Sequence, residues 1–262
     1  MATTSDVIGY IESLTTHPLN RDEGVQYGDA QRDIRTAMIC WMATADAIAA
    51  AGERRVDLLI GHESLYFPYD AIHRADNPPG WESWQINRQR RTLLDAHALT
   101  FARVHGSADE ICILDDFATL LGLGAPVVAD KLVKVFEIAP CPLDELVARV
   151  KERVGMAHVR LAAAGPMHRS VCRVGLPWGG LGLFVNVAYQ QRLIELGCDV
   201  MIAGESDNYG FRFAAECGIP MIETSHEISE NPGLRHLTQI LAAAFPDVQW
   251  NFYENPCVWE WA

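Results

Sequence analysis

Three short segments of this chain place imidazole and carboxylate side chains at spacings suited to metal ligation. Gly61-His62-Glu63-Ser64 follows a short apolar run. Val104-His105-Gly106-Ser107-Ala108-Asp109 follows another, with the histidine and the acid four residues apart. Ser225-His226-Glu227-Ile228-Ser229-Glu230 repeats that spacing near the C-terminus. Four residues is about one helical turn, so a histidine and an acid so placed face the same way if the chain turns helically between them. Taken singly, each segment reads as an ordinary loop with two polar residues, or as a capping Asp beside a surface His. Taken together, they offer the nitrogen and oxygen donors that bind zinc, iron, manganese or nickel. They are also numerous enough for two ions about 3.5–4 Å apart, which need a bridging carboxylate and terminal His and Asp ligands.

The elements that must carry these residues alternate in type. Val7–Leu14 reads as a helix, Asn20–Asp29 as a polar loop, and Asp33–Ala51 as a strand running into a helix. Val56–Ile60 reads as a buried strand, Arg88–Leu99 as a helix, Phe101–Val104 as a strand and Asp115–Leu123 as a helix. Pro140–Pro142 marks a boundary, followed by a helix over Leu143–Val154 and strands at Val159–Ala162 and Val171–Gly175. Further elements are a glycine-rich turn at Gly175–Gly182, a helix at Val185–Leu196, a strand at Asp199–Ala203, a helix at Tyr209–Glu216, a strand at Pro220–Glu223 and a helix at Pro232–Ala244. Alternating strands and helices predict an α/β fold with a largely parallel sheet. Ligands of such sheets bind beyond the carboxyl ends of the strands, where all three segments lie. The runs Asp57-Leu-Leu-Ile-Gly-His and Asp199-Val-Met-Ile-Ala-Gly-Glu echo one another, as in a chain of two similar halves.

Other chemistries lack their residues. The glycine turn has no Lys-Ser/Thr after it, so it is not a phosphate loop. No Gly-x-Ser-x-Gly elbow is present. None of the seven cysteines stands at C-x-x-C distance, and most sit in apolar runs, which predicts inert core thiols in a reducing compartment. The formal net charge of -13 argues against nucleic acid or an anionic membrane as a partner. Met1–Asp6 does not open as a secretory signal, and no apolar stretch approaches the roughly 20 residues of a membrane helix. A cytoplasmic protein is expected. At 262 residues and 49% hydrophobic, it can bury a full core.

These motifs, in this order, resemble the Nif-three-like family of dinuclear metal-binding proteins, several of which carry the name GTP cyclohydrolase type 2. Asp57–Leu65 matches the frame of the family's strand ending in two histidines and a proline. His105, Asp109 and Leu121-Gly122-Leu123 match its His-x3-Asp segment and the helix after it. Ala203-Gly204-Glu205 matches its Thr-Gly-Glu turn, and His226 with Glu230 matches its His-x3-Glu. Glu23–Gly28 is similar to its Gly-Leu-Gln-Val-Gly segment. The resemblance spans nearly the whole chain, without the long central insertion of some members.

The resemblance implies two similar, intimately packed α/β halves, approximately 1–140 and 141–262, with a metal site between them. The ligands it implies are His62, Glu63, Asp109, His226 and Glu230, with Glu230 bridging two divalent ions per subunit. It also implies a homo-oligomer, on the pattern of ring-shaped hexamers. Glu63 stands at the family's second histidine and Ser64 at its proline, and Ser206-Asp207-Asn208 replaces the usual Lys-Tyr-His. A carboxylate at position 63 favours harder ions, or weakens one site and leaves a single ion on His62, His226 and Glu230. The expected activity is metal-assisted hydrolysis of a C–N bond in a small cyclic amide or amidine. Glu63 or His105 would handle the proton, with Glu205 as a further candidate. Trp81, Trp84 and Tyr209 are candidates for a pocket holding a flat ring, and core packing explains such aromatics equally well. The same holds for the aromatic tail of Trp250, Phe252, Tyr253, Trp259 and Trp261. The alternative function is a non-enzymatic metal-binding regulator or metal carrier.

Overall fold

Every apolar run that leads to a candidate ligand becomes a short strand buried along its whole length. The structure is a computed structural model and describes residues 1–259. In chain order the elements begin with α1 (Thr4–Ser13), β1 (Gly24–Tyr27), β2 (Thr36–Cys40), α2 (Ala45–Glu53), β3 (Leu58–Gly61), α3 (Gln85–Ala96), β4 (Thr100–Arg103) and α4 (Gly106–Ala108). A π-helical turn, Asp109–Ile113, joins α4 to α5 (Leu114–Leu120). There follow β5 (Pro126–Asp130), β6 (Val133–Pro142), α6 (Leu143–Val154), β7 (Arg160–Ala162), β8 (Ser170–Gly175), a 3-10 turn at Gly179–Gly182 and α7 (Val187–Glu195). The chain ends with β9 (Val200–Ala203), α8 (Asn208–Glu216), β10 (Met221–Glu223), α9 (His226–Ala244) and β11 (Gln249–Tyr253).

The chain divides into two compact units. The first is Met1–Cys112 with Gly233–Asn255, and the second is Ile113–Pro232 with the residues from Pro256. The expected half-point near residue 140 falls inside β6. The first unit holds a five-stranded sheet in the order β1-β4-β3-β2-β11. Its strands are parallel except for β1, which pairs antiparallel with β4 at the edge. Met38, Ile48, Leu59, Leu94 and Phe101 pack between this sheet and helices α2 and α3. Each fully buried side chain of this kind contributes about 1.5–3 kcal/mol.

The second unit holds a six-stranded sheet in the order β5-β6-β8-β9-β10-β7. Here the expectation of a largely parallel sheet fails. Only β8, β9 and β10 run parallel, while the β5–β6 hairpin, the β6–β8 pair and edge strand β7 are antiparallel. Lys131 turns the hairpin with φ 55, and Val135 of β6, Leu193 of α7, Met201 of β9 and Met221 of β10 cluster in the core of this unit.

The echo between the Asp57 and Asp199 segments has a structural cause. Asp57 accepts hydrogen bonds from the backbone N–H groups of Arg35 and Thr36, at 2.9 and 3.1 Å, where β2 begins beside β3. Asp199 does the same for Cys172 and Arg173, at 3.0 and 2.8 Å, beside β9. In each unit an acid before the ligand-bearing strand accepts backbone N–H groups of the parallel neighbour just ahead of the residues that pair with it.

Two further readings change. The last helix starts at His226 rather than Pro232 and runs through that proline. The missing N–H at 232 forfeits one bond of the ladder, which the remaining turns of a 19-residue helix tolerate. The aromatic tail is partly strand β11, paired with β2. Tyr253 packs on the core and Phe252 lies under the Arg235 guanidinium, 4.7 Å from it. Trp261 lies outside the described residues. Among the described residues no helix is long and apolar enough to cross a membrane, and no cysteine forms a disulfide.

Candidate metal-binding residues

In the first unit, β3 and β4 lie side by side in parallel, with Gly61 opposite Arg103. The residues that leave their carboxyl ends therefore emerge together: His62 and Glu63 from one, Val104 and His105 from the other. The His62 and Glu63 N–H groups donate to the Trp41 carbonyl, at 3.0 and 2.8 Å, which fixes the turn. His62 is buried, and its Nδ1 stands 3.1 Å from the Val104 carbonyl oxygen. A carbonyl only accepts, so Nδ1 carries the proton and Nε2 presents its lone pair, the tautomer of a metal-ligating histidine. Nε2 faces Asp109 Oδ1 at 4.0 Å. Asp109 opens the π-helical turn, and its N–H donates to the His105 carbonyl at 3.1 Å, so the chain does turn helically between the two. One ligand atom each from His62, Glu63 and His105 lie within 4.8 Å of one another.

His105 stands edge-on to His62, with ring centroids 4.9 Å apart. Its Nδ1 is 3.0 Å from Asp22 Oδ2 and its Nε2 3.4 Å from the Tyr69 hydroxyl. Both ring nitrogens thus lie near oxygen partners, while His105 shares the cluster of possible ligands with His62 and Glu63. The His105 hydrogen bond and then the charge of Arg103 hold the Asp22 carboxyl down at about 2, against the cost of burial. Arg103 itself is fully buried. Its Nη1 pairs with Asp22 at 2.8 Å, its Nη2 donates to the Tyr69 hydroxyl at 2.8 Å, and its Nε donates to the His62 carbonyl at 3.0 Å.

In the second unit, β9 and β10 are likewise parallel neighbours, with Ala203 opposite Glu223. Glu205 follows the first and His226 the second. His226 and Glu230 stand one turn apart at the start of α9, with Nε2 3.4 Å from Glu230 Oε1. The other ring nitrogen, Nδ1, lies 2.9 Å from Glu205 Oε2, so Glu205 orients the imidazole. Glu230 is buried, and Glu205 is about half exposed. Beneath the Glu205 turn, Glu223 accepts from Ser206 N–H at 2.8 Å and from Arg160 at 2.9 Å, while burial pushes its carboxyl up.

The glycine-rich turn serves this second group. Gly179 has φ +51, and a Cβ there would overlap Glu230 Oε1 and stand 3.2 Å from His226 Nε2. Its N–H donates to Ser229 Oγ at 2.9 Å, and Ser229 Oγ donates to the His226 carbonyl at 2.7 Å. Gly204 must be equally small, because its Cβ would lie 2.5 Å from both Gly179 N and Ser229 Oγ. Bare backbone thus cradles the His226–Glu230 pair. Each unit carries an imidazole with one nitrogen tied to oxygen and the other facing a carboxylate. That donor set fits a divalent cation.

Of the aromatic pocket candidates, Trp81 packs on Tyr66, with centroids 6.0 Å apart, and on the core of the first unit. Trp84 occupies the N-cap of α3 and is 38% exposed. Tyr209 is 68% exposed in the second unit, its ring 5.5 Å from Phe184. An open groove of about 540 Å³, lined by Tyr27, Arg32, Asp95 and Thr100 among others, lies at the opposite, N-terminal end of β4. Local pattern did not single out Asp22, Tyr69, Arg103, Gly179 or Ser229. The one local signal was an arginine inside the buried run Thr100-Phe-Ala-Arg-Val, since a charge on such a strand demands a partner.

A GTP cyclohydrolase 1 type 2 homolog of Clostridium perfringens is 22% identical to this chain over 244 residues, covering 88% of this chain and 87% of that one. Two solved structures share the fold over nearly their whole length. They are Staphylococcus aureus protein SA1388 (TM-score 0.80, 13% identity, 100% of this chain and 99% of that one) and a Bacillus cereus protein related to NIF3 (0.78, 13%, 100% and 99%). The family model for Duf34/NIF3 (NGG1p interacting factor 3) matches residues 2–256. The chain therefore belongs to the Duf34/NIF3 (NGG1p interacting factor 3) family.

Proposed function

We propose that this chain binds divalent metal through His62, Glu63, Asp109, His226 and Glu230 and hydrolyses a C–N bond in a small cyclic amide or amidine. One observation carries the reading: each unit presents a histidine with one ring nitrogen against an oxygen acceptor and the other facing a carboxylate. The cyclohydrolase named in the Clostridium relative supports ring opening as the reaction class.

When bound, divalent ions supply an acidified water as nucleophile and a Lewis acid for the substrate's carbonyl or imine. The chain's own residues do the rest. Asp22 holds His105 with Nδ1 as the donor, so Nε2 is the atom that takes up and returns a proton beside Tyr69. Glu63, whose Oε2 lies 3.8 Å from Arg103 Nη2, is the alternative base. Glu205 accepts from Nδ1 and orients the His226 ring, and its half-exposed carboxylate is the third proton-handling group. Aromatics such as Tyr209 would line the substrate's pocket, and the working form would be a homo-oligomer.

The test is turnover. Protein with full metal occupancy is assayed against a panel of nucleotide, pyrimidine and cyclic amide substrates. Ring opening that disappears in His62→Ala and Glu230→Ala is the expected result. No turnover across the panel at full occupancy sinks the hydrolase and leaves the metal carrier or regulator. The exposed Phe184, Val185 and Tyr209 of the second unit favour that second reading, as a surface for a protein partner.

A further inference from the structure

We propose that Arg103 is the positioning residue that makes Glu63 tolerable in the metal-binding group and tunes its affinity for the ion; the tuning rests on the metal-binding reading above. Arg103 lies on β4 and is fully buried, where an uncompensated charge is costly. It is surrounded by three acids drawn from separate segments. Nη1 is 2.8 Å from Asp22 Oδ2 and 4.0 Å from Asp70 Oδ1, and Nη2 is 3.8 Å from Glu63 Oε2. The guanidinium also stacks on Tyr69, 5.0 Å from the ring centroid, and Nε holds the His62 carbonyl. One cation therefore grips both residues of the His62-Glu63 pair, one by backbone and one by charge.

The consequence follows from charge balance. A carboxylate at position 63 adds one negative charge that an imidazole would not, and Arg103 adds one positive charge that offsets it. Glu63 is shared between the guanidinium and the ion. The ion would therefore meet a weaker ligand than a carboxylate with no cation beside it, and removal of the guanidinium takes that competing charge away.

Two readouts test this, one without metal. In metal-stripped protein, Glu63→Gln should melt below wild type, because Arg103 loses a counter-charge. If Glu63 belonged only to the ligand group, the same change would relieve repulsion among acids and raise the melting temperature. Second, Arg103→Gln should bind Mn2+ about tenfold more tightly, measured by the loss of the free-ion EPR signal. That gain should vanish in Arg103→Gln/Glu63→Gln, and Arg103→Lys should stay within about twofold of wild type. Should Arg103→Gln not fold, Arg103→Lys and the metal-free melting of Glu63→Gln still decide. Metal-free Glu63→Gln melting at or above wild type overturns the proposal, as does a tenfold gain that persists without Glu63. Wild type that takes up no Mn2+, while Glu63→Gln melts low, overturns the metal reading and the tuning with it but leaves the ion pair standing.

Discussion

Replacing Gly179 by alanine should damage metal binding far more than stability. The backbone there has φ +51, where an L-residue costs about 1–2 kcal/mol. For a protein of this size, that lowers the melting temperature by about 2–8 °C. The new Cβ would also overlap Glu230 Oε1 and crowd His226 Nε2 at 3.2 Å, so the carboxylate must leave its position. Displacing a ligand, or the partner that orients it, typically costs about 10–100-fold in metal affinity. Gly80→Ala supplies the control: φ is +75, but no atom lies within 4 Å of its Cβ. It should show the backbone penalty and keep its metal. Isothermal titration with Mn2+ or Zn2+, beside melting of the metal-free proteins, separates the two effects. Wild-type affinity in Gly179→Ala would refute the cradle, and so would an equal loss in Gly80→Ala.

Other perturbations have outcomes of known sign. Asp22 is held near 2 against an ordinary 3.8, so its contribution is present above about pH 4 and fades as the pH falls through 2. Asp22→Asn should cost about 2 kcal/mol at pH 7 and flatten the stability loss between pH 4 and 2, read by urea unfolding at each pH; an unchanged acid profile would count against the His105–Asp22 pairing. Burial pushes the Cys40 and Cys198 thiols up to about 12, whereas Cys217 is exposed. Alkylation of the native protein at pH 8, mapped by mass spectrometry, should label Cys217 first and spare the other two. Glu63→His should raise the metal count if wild type holds a single ion, and an unchanged count of one would remove position 63 from the ligand set.

Much of the candidate metal-binding group was legible because it is local. His62-Glu63, His105 with Asp109, and His226 with Glu230 each lie within one turn, at the end of an apolar run whose pattern marks a strand. The family order of these motifs tied distant segments together. What could not be read locally was whatever pairs across the chain. Asp22 meets His105 from 83 residues away, and Gly179 meets Ser229 from 50. Strand β1 is half-buried and only four residues long, so its polar sequence passed for a loop. The β5–β6 hairpin shows no clean alternation, since both its strands are partly exposed. Pro232 looked like a helix start because proline favours a first turn, yet here the ladder runs on from His226.

The central claim is that divalent metal is held by His62, Glu63, Asp109, His226 and Glu230. It is tested most directly by elemental analysis after stripping with chelator and dialysis against excess Mn2+, Fe2+ or Zn2+, for wild type, His62→Ala and Glu230→Ala. The account predicts one or two tightly held ions per chain in wild type, and loss of bound metal in both variants, one altered in each unit. Wild type without stoichiometric metal, or variants that hold as much as wild type, would contradict it.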